Sequence, residues 1–273
     1  MPAYLDSILD AHRAAAAADD RDVATVVDAA HRHLSERRAA ADATSPRDFV
    51  GALRRGRAER GMAVISEIKR RSPSKGDLDP NLDPGTVAVD YETGGASCLS
   101  VLTDEAFFGG SRGDLERARA ACRLPVLRKD FTVGPRDVCD ARLMGADAVL
   151  LIVAALDDAA LTDLLSLARD LALAPLVEVH DEPELERALA AGAELVGVNQ
   201  RDLRTFEVDR DRALRMGGRM PDGVLAVAES GIRGADDVVR LAEAGYAAVL
   251  VGETLVRSAD RASAVDGLLG ARA

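Results

Sequence analysis

The chain has 273 residues, with 46 Asp and Glu against 35 Lys and Arg, and a formal net charge of −11. So acidic a surface argues against non-specific binding to nucleic acid or to an anionic membrane, and an anionic ligand needs a locally positive pocket. Trp is absent, aromatics make up 3%, and the three cysteines form no paired spacing. The core is therefore aliphatic, with neither a disulfide framework nor a zinc knuckle expected. No signal peptide or bilayer-length apolar run is visible, so a reduced, cytoplasmic setting is the expectation.

Residues 1–60 read as a helical extension. YLDSILDAHRAAAA, ATVVDAAHRHLSERRAAA and SPRDFVGALRRGR each carry helical patterning, the last with Ser45 as N-cap and Pro46 at N1. The extension fits a cover over one barrel mouth, simple packing or an oligomer contact. The 3.6-residue period does not say which end it would cover.

From residue 61 to 273 short apolar runs alternate with helical stretches. The expected strands are 62–68, 97–102, 125–129, 147–153, 175–179, 195–199, 224–228 and 247–251. A helix end, a Gly and a buried strand recur at Gly95, Gly145, Gly192 and Gly245, which suits helix C′ positions with positive φ. Near-continuous Val, Leu and Ala mark strands buried on both faces, as in parallel sheets. The reading is an α/β fold, a (β/α)8 TIM barrel with an N-terminal helical extension, forming a single domain overall. An open doubly wound sheet is the runner-up; no GxGxxG follows the first strand, which counts against it.

Of the 35 basic residues only Lys69, Lys75 and Lys129 are lysines. A lysine can release a proton where arginine cannot. Lys69 and Lys129 both end strand-like runs, and barrel active sites lie at such ends. The same ends carry Glu67, Glu178, Asn199, Glu229 and Ser230. Strand alternation puts Ala63, Ile65, Glu67 and Lys69 on one face, Leu127 with Lys129, Leu176 with Glu178, and Gly197 with Asn199.

Singly, each polar residue has a structural reading: an ion pair, a satisfied carboxylate, a turn cap. Together they converge, and such groups are expected to shift each other's pKa toward neutrality for acid–base work. His180 reads as a structural strand-end histidine. His12, His31 and His33 lie in the helices, without metal-ligand spacing. AESGIR and VGETLV place Gly after strands 7 and 8, the usual phosphate site of this fold. KRRSPSKG adds Ser72 and several cations on the opposite wall.

ISEIKRRSPSKG, LRKDF, LVEVH, VNQRDL, AESGI and VGETL occur in this order at the ends of strands 1, 3, 5, 6, 7 and 8, with YETGGASCLSVLTDEAFFGGS at strand 2. This ordered set, with the helical extension, resembles the indole-3-glycerol phosphate synthase family across essentially the whole chain. The resemblance implies ring closure with decarboxylation and dehydration of a small anionic substrate, no cofactor and no metal, and other tryptophan-pathway enzymes as partners. Lys129 is implied as general acid and Glu178 as general base of the dehydration, with Lys69 or Lys129 as proton donor. Lys69 is implied to pair with the substrate carboxylate, Glu67 to orient Lys69, and Asn199 to position Glu178. Substrate binding falls to Phe108, Phe131, Arg201, Leu203, Glu229 and Ser230, and phosphate binding to Ser72, Gly231, Gly252 and the backbone at Glu253.

Two positions depart from the family pattern. Gln200 stands where Asn is common and reads as peripheral. The Glu253 side chain must turn away from the phosphate. Phosphoribosylanthranilate isomerase shares the barrel but is expected to use Cys and Asp at strand ends, whereas Cys98 begins its strand. A non-catalytic scaffold predicts broken catalytic positions, and none is seen.

Overall fold

The computed structural model describes residues 4–40, 45–73 and 75–270. Eight parallel strands close into a barrel: β1 Ala63–Ile68, β2 Cys98–Leu102, β3 Val126–Lys129, β4 Ala148–Ile152, β5 Ala174–Val179, β6 Leu195–Asn199, β7 Leu225–Glu229 and β8 Ala248–Val251. Each expected strand lies within one residue of its observed ends. Closure is made by β1 pairing with β8 (Ala63 opposite Ala248) and with β2 (Ile65 opposite Cys98). Every residue of β1, β2, β4, β6, β7 and β8 is buried, because helices cover the outer face and side chains fill the inner one. Gly95, Gly145, Gly192 and Gly245 all have positive φ, between 83° and 93°, at the turns from helix into strand. Among the described residues no helix is long and apolar enough to cross a membrane.

The N-terminal helices run from one end of the barrel to the other. Helix α1 (Tyr4–Ala18) lies at the mouth where the strands end: Leu5 N–H donates to Leu203 O at 3.2 Å and Arg13 Nη2 to Ala155 O at 3.1 Å. Tyr4 meets Phe206 edge-on at 4.8 Å. Helix α2 (Val23–Ala40) packs along the barrel helix Pro135–Leu143, with Arg21 bridging to Asp140 at 2.8 Å. Helix α3 (Phe49–Arg60) sits at the strand starts, where Phe49 O accepts from Cys98 Sγ at 3.7 Å.

The cap of α3 is not Ser45. Asp48 is the N-cap and accepts the Gly51 N–H at 2.7 Å. Ser45 Oγ instead donates to Arg37 O at 2.9 Å. The Arg47 backbone N–H goes to Asp147 and its guanidinium to Leu124 O, each at 2.7 Å, which holds residues 45–47 out of the helix. A local cap preference has yielded to long-range bonds at the barrel base.

Candidate active site

A cavity of about 840 Å³ opens where the strands end, and all the expected site residues border it. Its base is a chain of charged groups from four strands, β1, β3, β5 and β7, with the Asn199 amide from β6. Lys129, ending β3, donates to Glu178 Oε2 at 2.7 Å and reaches Glu229 Oε2 at 3.3 Å. Glu178 Oε1 accepts from Asn199 Nδ2 at 3.1 Å. Asn199 Oδ1 in turn accepts from Ser230 Oγ at 2.8 Å and the Arg201 N–H at 3.0 Å, so both sides of the amide are fixed. Lys69 lies on Glu67 at the end of β1. Two glycines make room for this layout: a Cβ at Gly197 would strike the Glu229 carboxylate, and one at Gly252 would strike Glu67.

The electrostatics do not follow the expected drift toward neutrality. Burial works to lower the Lys129 pKa, but Glu178, Glu229 and Glu67 outweigh it and hold the ammonium above its ordinary range. Burial works to raise Glu178, but Lys129, His180 and the Asn199 bond hold it below the usual carboxylate range. A lysine seated between carboxylates is stabilised as a cation, and its partner as an anion. Glu229 is the group that moves toward neutrality. Burial pushes it up, to about 7; Lys129 opposes, while Glu178 and Glu67 reinforce the rise.

That shift carries a stability prediction. Between the ordinary value of 4.5 and about 7 the folded protein holds a proton on Glu229 that the unfolded chain has released. Stability therefore falls as pH rises through that window. Glu229→Gln removes the titration, so Tm of the variant relative to wild type should increase between about pH 5 and about pH 8. Thermal melts showing the same offset at both values would contradict the assignment.

The walls divide into two ends. Phe108, Phe131 and Leu203 form an apolar side, with Phe108 and Phe131 centroids 6.3 Å apart. The lining also includes Ser72, Lys75, Gly231, Gly252 and Glu253, joined by Arg233 and Arg257, which sequence reading did not single out. Ser230 and Gly231 have φ of 66° and 75°. A short helix, Glu253–Val256, starts at Gly252 with no side-chain cap. The Glu253 carboxylate turns to Arg257, 3.8 Å away.

Arg70 and Arg71 do not serve this end. Arg70 pairs with Asp114 and donates to Leu82 O at 3.1 Å; Arg71 donates to Glu105 O at 3.0 Å. They fasten the loop after β1 to its neighbours, and for Arg70 the partners are the buried Asp114 carboxylate and the carbonyl of buried Leu82, which need donors. Gln200 does not border the cavity; it is buried beside it and donates to Ser230 O at 2.7 Å, supporting the turn that carries Ser230. His180 has Nδ1 at 3.0 Å from Glu184 and Nε2 at 3.5 Å from Glu178, so it stands directly behind that carboxylate. The signal for it was its place two residues after Glu178 on the same strand face.

Residues 15–268 match the family described as indole-3-glycerol phosphate synthase. The chain belongs to the indole-3-glycerol phosphate synthase family. An indole-3-glycerol phosphate synthase of Mycobacteroides abscessus is 49% identical over 269 residues, covering 98% of this chain and 94% of the relative. Indole-3-glycerol phosphate synthase 2 of Streptomyces coelicolor is 53% identical over 231 residues, covering 85% and 88%. Among solved structures, a 3-hexulose-6-phosphate synthase superposes with a TM-score of 0.63 at 17% identity, covering 78% of this chain and 100% of the other. That likeness concerns the barrel fold alone.

Proposed function

We propose that this protein is an enzyme that converts 1-(2-carboxyphenylamino)-1-deoxyribulose 5-phosphate to indole-3-glycerol phosphate, CO2 and water, within tryptophan biosynthesis. The observation that carries the reading is Lys129 held between Glu178 and Glu229 at the cavity base, with Asn199 fixing Glu178. Family membership supports it.

The substrate has an aromatic carboxylate at one end and a phosphate at the other. The aromatic ring packs against Phe108, Phe131 and Leu203, with Lys69 near its carboxylate and Arg201 on the same wall. The phosphate sits among Ser72 and the amides of Gly231, Gly252 and Glu253. Lys129 starts as an ammonium, so it has a proton to give to the ribulose carbonyl as the ring carbon attacks. Loss of CO2 then restores aromaticity. In the dehydration Glu178, held as a carboxylate, takes the proton while Lys69 or Lys129 protonates the leaving hydroxyl. Glu229 and Ser230 line the same base, and the aromatic wall keeps water from the carbonyl.

The direct test is indole fluorescence from the synthetic substrate. Turnover supports the reading; a folded protein without turnover overturns it. The phosphate placement has its own check. A crystal soaked in phosphate should hold the anion near the Gly231 and Gly252 amides and Ser72. An anion found only among the N-terminal arginines contradicts the placement.

A further inference from the structure

We propose that His12, on the N-terminal helix α1, is a positioning residue for the aromatic wall of the cavity: its ring holds Asp104, and Asp104 holds the turn that presents Phe108. The proposal rests on the reading of that wall as the site of the substrate's aromatic ring.

The connection is continuous. His12 Nε2 lies 2.9 Å from Asp104 Oδ2. Asp104 Oδ1 accepts the backbone N–H of Phe107 at 2.6 Å and of Phe108 at 3.0 Å. Asp104 is 5% exposed, so its second oxygen has little water to turn to if the imidazole is removed. The His12 ring also lies against Phe131, with centroids 5.4 Å apart. One side chain thus touches both halves of the aromatic wall, directly at Phe131 and through Asp104 at Phe108. Helix α1 is itself tied to the mouth through Leu203 and Ala155.

His12, Asp104 and Asp130 are close enough together to resemble a cation site. The donors argue otherwise. Asp130 already accepts from the Thr103 hydroxyl, from Arg128 at 2.9 Å and from the Phe131 N–H at 2.9 Å. With Asp104 Oδ1 taken by two amides, the cluster is a hydrogen-bonded brace whose cation is the imidazole.

The groups facing His12 are Asp104 after β2, Asp130 after β3 with its partner Arg128, and Asp137 at the start of the next helix. Burial works to lower the His12 pKa, but the Asp104 bond and the charges of Asp130 and Asp137 leave it raised. The contribution of the charged ring is present below that raised pKa and is lost as pH rises through it.

The test uses full-length wild type, His12→Leu and His12→Gln, the last keeping a neutral donor at the Nε2 position. Leu should raise KM for the carboxyphenylamino-deoxyribulose phosphate roughly fivefold, with kcat changed less than about twofold. Gln should bring KM back to within about twofold of wild type. The affinity for inorganic phosphate should stay the same in all three. Wild-type KM should rise by no more than about twofold, to the level of the Gln variant, as pH passes upward through the His12 pKa, and the Gln variant should lack that rise; this comparison stands even if the Leu variant fails to fold. An unchanged KM in Leu, a Gln variant as impaired as Leu, identical pH profiles in wild type and Gln, or phosphate affinity falling in step with KM would each overturn the brace. A wild type that does not turn over the substrate overturns the reading of the cavity and this inference with it, whereas an active wild type with unaffected variants overturns His12 alone.

Discussion

Lys129→Arg should lower kcat by at least about 10²-fold while KM changes little. The guanidinium keeps the positive charge between Glu178 and Glu229, so the attraction that seats the side chain survives. What it loses is the transferable proton: the ammonium can give its proton to the substrate oxygen, whereas the guanidinium, with its delocalised charge, does not. A factor of 10² corresponds to about 2.7 kcal/mol of lost transition-state stabilisation. That lies within the range general acid catalysis supplies. Steady-state kinetics at substrate saturation decide the point. A variant with near-normal kcat would remove Lys129 from the acid role and leave it as a charge.

Glu178→Gln should cost roughly 10²-fold or more in kcat, again with KM nearly constant. The amide keeps the shape and can still accept from Lys129 through its oxygen. It cannot take a proton from the substrate. The surrounding bonds make this a clean substitution in volume, but Asn199 Nδ2 and Lys129 both donate to this side chain. One of them must then face the new NH2, so some loss of local order accompanies the loss of the base. Should KM rise instead while kcat holds, Glu178 is a binding residue.

The barrel and the positions of Glu67, Lys129, Glu178, Asn199 and Glu229 were legible because period-two alternation and polar strand ends are local signals. Gly231 and Gly252 at the cavity were legible for a similar reason, since they follow strands directly. The rest depended on contacts far apart in sequence. Nothing near Ser45 reveals that Arg47 is claimed by Asp147 and Leu124. Nothing near Arg70 reveals Asp114 as its partner.

The direction of the pKa shifts does not follow from the sequence, because convergence alone does not say which group lies between which. Lys129 sits between two carboxylates and is driven away from neutrality, and Glu229, pushed up by burial with Glu178 and Glu67 reinforcing, absorbs the conflict. Which mouth the N-terminal helices cover was not readable from helical periodicity. The chain places α1 at the catalytic mouth and α3 at the other.

The central claim is a division of labour, with Lys129 acting before CO2 is lost and Glu178 after it. Single-turnover experiments with substrate labelled in the carboxylate carbon, following labelled CO2 and indole fluorescence together, test it most directly. Wild type should release CO2 and form the indole. Lys129→Arg should do neither at an appreciable rate, and Glu178→Gln should release CO2 well ahead of indole. CO2 released at the wild-type rate by Lys129→Arg, or CO2 release and indole formation slowed equally in Glu178→Gln, would contradict the account.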